Sequence, residues 1–85
     1  YMKITLLSKP GFSGNMLVRK IEEVAKSQLM DIEVFLNEHL QEADVVLLTP
    51  QRSEDLKEIK KVVKVPVGVI SLSSIIKYAK QLIQK

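Results

Sequence analysis

Eight consecutive residues, Ser8-Lys9-Pro10-Gly11-Phe12-Ser13-Gly14-Asn15, follow the apolar run Ile4-Thr5-Leu6-Leu7 and precede a segment with helical spacing. A glycine-containing loop between a strand and a helix can hold an anion on its backbone N–H groups, with the helix N-terminus adding positive potential. Gly11 and Gly14 allow the positive φ values that such a nest needs, and Lys9 could add charge. Pro10 removes one possible donor. The plain alternative is a strand-to-helix turn that uses its glycines for geometry alone. The pattern is not G-x-G-x-x-G, and no Gly-Lys-Ser/Thr triplet follows, which disfavours nucleotide binding by the usual phosphate loops. Ser8 stands where a reactive group would sit, and a serine is a poor nucleophile without a neighbouring base.

A second cluster, Thr49-Pro50-Gln51-Arg52, closes the apolar run Val45–Leu48. Arg52 is suited to pair bidentately with a phosphate, although an exposed arginine at a turn needs no function. His39, the one imidazole, lies beside Glu38 in a linker and reads as a solvated turn residue. Phe12 is either a docking contact or a staple onto the following helix, and Met16 and Met30 are expected to fill core edges.

The elements that must position these residues follow from periodicity. Met2–Leu7 and Val45–Leu48 read as strands buried on both faces. Asp31–Phe35 alternates as a half-exposed edge strand does, and Leu36–Ala43 is a short linker with at most one helical turn. Val65–Ile70 is a fourth strand with Pro66 near its start, where a missing donor is tolerable. Between them, Leu17, Ile21, Val24 and Ala25 mark one amphipathic helix, capped by Asn15 or Ser13. Leu56, Ile59 and Val63 mark a second, capped by Ser53 with Glu54 and Asp55 in its first turn. A third helix is expected from about Ser73, with Ile75, Ile76, Ala79, Leu82 and Ile83 inward. Strands alternating with helices predict a four-stranded parallel sheet, order 2-1-3-4, with helices on both faces. This is a flavodoxin-like, P-loop-like three-layer sandwich. Its strand order reverses between the first and third strands, so a ligand site is expected where Ser8–Asn15 faces Thr49–Arg52.

Length and composition narrow the function classes. Eighty-five residues, read as one domain over 1–85, cannot bury a second core. The absence of cysteine excludes disulfides and thiolate metal sites, and a single histidine argues against a structural zinc, so no metal or cofactor is expected. No apolar stretch reaches the ~18 residues of a membrane span, and Lys9 and Pro10 break the N-terminal apolar run, so a cytoplasmic protein without direct membrane insertion is expected. The net charge of +3 divides unevenly, −2 over residues 1–50 and +5 over 51–85. Lys57, Lys60, Lys61 and Lys64 carry much of that excess. No aromatic residues interleave them, and no nucleic-acid partner is expected. A monomer is expected, because the alternating, charged edge strand Asp31–Phe35 resists pairing.

The chain resembles the IIB components of the bacterial sugar phosphotransferase system, lactose/cellobiose class. In that family the first loop runs roughly Cys-x-x-Gly-Met/Phe-Ser-x-Ser, to be compared with Ser8–Asn15 here. Ala43–Gln51 is similar to the family's third strand with its Pro-Gln turn, and Val65–Ile70 to its fourth strand. The resemblance implies a peripheral component of a membrane transporter. Its cysteine takes a phosphoryl group from a histidine of the IIA partner and passes it to a sugar held by the membrane component IIC. Ser8 occupies the cysteine position, and Pro10, Asn15 and the short connection Ser71–Ser74 also depart from the pattern. The implied chain is therefore either a carrier arrested by replacement of its cysteine or a degenerate, regulatory relative that binds phosphotransferase or transcription-regulatory proteins.

Overall fold

The computed structural model describes residues 1–10 and 14–70. The predicted third helix, the Ser71–Ser74 connection, and Gly11, Phe12 and Ser13 lie outside the described residues. The remaining elements run β1 (Met2–Leu7), α1 (Gly14–Ser27), β2 (Ile32–Leu36), β3 (Val45–Leu48), α2 (Leu56–Val62) and β4 (Val67–Val69), with short 3-10 turns at Leu40–Glu42 and Pro50–Asp55.

The four strands form one parallel sheet in the order β2-β1-β3-β4. The expected order is the observed one, and its cause is burial. Ile4 and Leu6 on one face of β1, with Val45 and Leu47 on β3, pack against Leu17 and Ile21 of α1. The alternate residues, Leu7 with Val46 and Leu48, pack against Val63 and the inner residues Leu56 and Ile59 of α2. A strand whose successive side chains all meet apolar neighbours must lie in the middle of a three-layer arrangement. The edge strand β2 keeps Glu33 exposed and buries no residue fully.

Three local expectations are corrected. Of the two candidate caps of α1, Asn15 lies inside the first turn of the helix and does not cap it, and Ser13 lies outside the described residues. Ser53 does not cap α2 either. Pro50, with its φ already set for a turn, opens a 3-10 stretch at once after β3, and Ser53 falls in its middle. The α-helix proper starts only at Leu56, past a kink at Arg52 where φ is −113° and ψ is 16°. Met16 does not fill a core edge: it is 56% exposed on the first turn of α1.

The fourth strand is shorter than Val65–Ile70, yet its ladder runs on at both ends. Val46 N–H donates to the Pro66 carbonyl and Ile70 N–H to the Leu48 carbonyl. Pro66 therefore serves as an acceptor where it could not have donated.

Candidate functional site

Where β1 ends, three chain segments converge on Ser8, which is only 4% exposed. In a regular parallel ladder the Ser8 N–H would next meet the Asn37 main-chain carbonyl. Asn37 instead takes a left-handed conformation, φ 59°, and its side-chain Oδ1 accepts the Ser8 N–H at 2.8 Å. The Asn37 N–H still donates to the Leu6 carbonyl at 2.8 Å, so one residue both ends β2 and fixes the backbone of Ser8. Asparagine fits this position because it tolerates the left-handed region and carries its own acceptor. Asn37→Ala is expected to cost about 1–3 kcal/mol, the usual penalty for a buried N–H left without a partner. Urea unfolding of both proteins measures it.

The first residue of α1 sits directly against Ser8. A Cβ built on Gly14 would lie 2.9 Å from both Cβ and Oγ of Ser8 and 3.0 Å from Cδ1 of Leu36. The expectation that Gly14 supplies a positive φ is thus corrected: its backbone is helical, and what it supplies is room. The consequence is electrostatic. The first N–H groups of a helix lack intrahelical acceptors and carry the positive end of its dipole. Gly14 lets that end of a 14-residue helix approach the side chain of residue 8. Negative charge developing there would be stabilised.

The Ser8 hydroxyl itself is idle. It donates a long 3.3 Å hydrogen bond to the Lys9 carbonyl and meets no basic side chain among the described residues. His39 cannot help. Its ring packs on Phe35 with centroids 4.5 Å apart. Phe35 pairs with Thr5, on the sheet face opposite the Leu36 and α1 side that Ser8 faces. His39 is in left-handed conformation, half-exposed, with Nδ1 3.4 Å from Glu42 Oε1, as a turn residue should be.

Across the switch point, the charged candidates are engaged with each other's neighbours. Lys9 Nζ lies 3.2 Å from Glu54 Oε1, joining the first loop to the Pro50–Asp55 turn. Arg52 Nε donates to Asp55 Oδ2 at 2.8 Å. Pro50 and Gln51 are exposed on the same turn. Both ends of the Lys9–Glu54 pair are well solvated, so Glu54→Gln is expected to change stability by less than about 1 kcal/mol. Freed from Glu54, Lys9 should bind phosphate more strongly at low salt, which amide-shift titration reads.

Thr49 completes the cluster. It is 1% exposed, its N–H donates to the Leu7 carbonyl, and its Oγ1 is buried without a hydrogen-bond partner among the described residues. The basic residues Lys57, Lys60 and Lys61 occupy the exposed face of α2, with Lys64 beyond its end. Among the described residues no group of three or more His, Asp or Glu side chains could hold a metal ion, and no helix is long and apolar enough to cross a membrane.

Of the predicted site residues, the structure brings together Ser8, Lys9, Gly14 and Thr49 and places Asn15 outward on α1. The structure adds three contacts that the sequence reading does not include: Asn37 to Ser8, Glu54 to Lys9 and Asp55 to Arg52. The Arg52–Asp55 pair had a readable signal in its i,i+3 spacing; Asn37 had none.

The sequence pattern described as the phosphotransferase system lactose/cellobiose-specific IIB subunit matches residues 3–85. The chain belongs to this IIB family. A solved structure, the lactose-specific IIB component domain of the phosphoenolpyruvate:carbohydrate phosphotransferase system from Streptococcus pneumoniae, is similar with a TM-score of 0.74. The match covers 98% of this chain and 94% of that one at 15% identity, a level that speaks to the fold alone. No curated protein matches the chain. Within the IIB family, the four-stranded 2-1-3-4 sheet is the shared frame, and Ser8 lies at the end of its first strand.

Proposed function

We propose that the chain is a IIB carrier scaffold for sugar uptake whose phosphoacceptor position is held by Ser8. In the IIB scheme a thiolate at this position attacks the phosphorus of a IIA phosphohistidine. The S–P bond forms as the N–P bond breaks, and the imidazole nitrogen takes up a proton. A second transfer delivers the phosphoryl group to a sugar at the membrane component IIC. The loop Ser8–Asn15 is the proposed phosphate cradle, with Lys9, Gly11, Phe12, Ser13 and Gly14 around the acceptor. Thr49, Pro50, Gln51 and Arg52 form the facing, partner-side loop.

One observation carries this reading: Gly14 lets the N-terminus of α1 close on residue 8, while no base approaches the Ser8 hydroxyl among the described residues. A thiol there would ionise through the helix N-terminus, which lowers a cysteine pKa from its usual ~8.5. A hydroxyl needs a general base to lose its proton, and the described residues offer it none. The proposed state is a relay with its electrostatics in place and its nucleophile missing.

The same idle hydroxyl, together with Lys9 occupied by Glu54, favours a second reading. In it the chain is a non-catalytic module that binds IIA or regulatory proteins through the same surface. Both readings treat residues 1–85 as one monomeric domain working at the cytoplasmic face beside the transporter, without nucleic acid. The deciding experiment is incubation of the Ser8 protein and its Ser8→Cys variant with a phosphorylated IIA partner, followed by intact-mass measurement. An adduct on the cysteine variant alone supports the carrier. Proven IIA binding with no adduct on either favours the regulatory module.

A further inference from the structure

The orphan hydroxyl of Thr49 has an address. Leu7 pairs with Leu48, so Ser8 and Thr49 are neighbours in the next row of the sheet, with the strands about 4.8 Å apart. Thr49 is still extended, φ −71° and ψ 157°, so its side chain follows Leu47 onto the α1 face, where Ser8 also points. A threonine just before a helical turn ordinarily turns its hydroxyl onto the turn's free N–H groups. Thr49 does not, although it immediately precedes the Pro50–Asp55 turn. Its Oγ1 is withheld from water, from the cap and from every other partner among the described residues. Buried polar groups left so are rare, and each has a cause such as strain, a water, an ion or a ligand.

We propose that Thr49 Oγ1 is a hydrogen-bond donor to a tetrahedral oxyanion held at residue 8, opposite the N–H groups that open α1. This rests on the phosphate-site reading above and adds to it a side-chain ligand from the second loop. The oxyanion lies between the two strand ends, with α1 supplying donors from one side and the Thr49 O–H from the neighbouring strand. Thr49 is thereby a ligand for phosphate, whether free or carried covalently on residue 8. It is not a proton carrier, since a hydroxyl does not ionise near neutral pH.

The test compares Thr49→Val, which keeps the shape and removes the hydroxyl, with Thr49→Ser, which keeps the hydroxyl. In the first arm inorganic phosphate is titrated against each protein and followed by amide shifts. In the second, each substitution is combined with Ser8→Cys, phosphorylated by a IIA partner, and the 31P resonance of the adduct is recorded. Thr49→Val should weaken phosphate binding about tenfold or displace the 31P resonance, while Thr49→Ser stays within threefold and leaves the resonance in place. Thermal melting should show Thr49→Val no less stable than the parent, because it loses an unpaired buried hydroxyl. A change in the first arm identifies free oxyanion as the ligand, and a change in the second alone identifies the covalently carried group. Unchanged behaviour in both arms overturns the role of Thr49 and leaves the phosphate site standing. If neither parent binds phosphate nor accepts a phosphoryl group, the underlying reading fails and takes this inference with it.

Discussion

Ser8→Cys is expected to take up one phosphoryl group from a phosphorylated IIA partner, while the Ser8 protein takes up none. In the carrier reading, the oxygen of Ser8 in place of a sulfur is the departure that removes the nucleophile. The α1 N-terminus is already in contact range through Gly14, and the Ser8 backbone is pinned by Asn37, so a sulfur placed on this Cβ inherits both. Helix N-termini lower thiol pKa values enough to supply thiolate near neutral pH. The same dipole then stabilises the charge on the transferring phosphoryl group. An oxygen at that place gains the same field, but among the described residues its proton meets only the Lys9 carbonyl, an acceptor with no basicity. Intact mass before and after the reaction reads the difference directly. A phosphate adduct on the Ser8 protein would refute the argument that a base is required.

The second large effect is expected at Gly14. Gly14→Val places a branched Cβ where only 2.9 Å is free to Ser8 Cβ, an atom fixed to the backbone that cannot swing aside, with Oγ at the same distance. Overpacking of this kind costs typically 1–3 kcal/mol, and a loss of about 3 kcal/mol is expected for valine. Gly14→Ala should cost less, because the helix propensity of alanine returns up to about 1 kcal/mol. The functional loss should exceed the stability loss. The clash is relieved by moving α1 away from β1, and that displaces the helix dipole from residue 8. Gly14→Ala combined with Ser8→Cys should therefore show a raised thiol pKa and slower phosphoryl acceptance while remaining folded. Thiol alkylation rates against pH measure the first, and a fluorescence melt the second. A normal thiol pKa in that double variant would separate Gly14 from the electrostatics of the site.

These residues also mark what could be read in advance. Val45–Leu48 was legible because it is apolar at every position, and Met2–Leu7 because Met2, Ile4 and Leu6 share one face while Leu7 adds an apolar residue to the other, in runs too short for helices. With right-handed crossovers, that placed the two side by side and located the switch point. Helix starts were less legible. Asn15 and Ser53 are good capping types, yet Asn15 lies within the first turn of α1, and Ser53 falls inside the 3-10 turn that Pro50, with its preset φ, has already opened. Asn37 was illegible for a different reason. Its function depends on a strand distant in the chain and on a left-handed conformation that the linker composition does not announce. Thr49 was visible as a strand-end residue, but its lack of a partner is a property of three-dimensional surroundings.

The position of β1 between β2 and β3 has a consequence for how the molecule comes into being. On the ribosome β1 emerges before both of its neighbours, so it must wait as an apolar, unpaired strand. Leu6 finds Leu36 first and Leu47 only later. Contacts so distant along the chain slow folding, because the intervening loop must close before they return any stabilisation. During that interval Ile4–Leu7 is the segment of the nascent chain most open to capture by other strands. The surroundings of Ser8 are complete only when both flanking strands have docked, since Asn37 follows β2 and Thr49 follows β3.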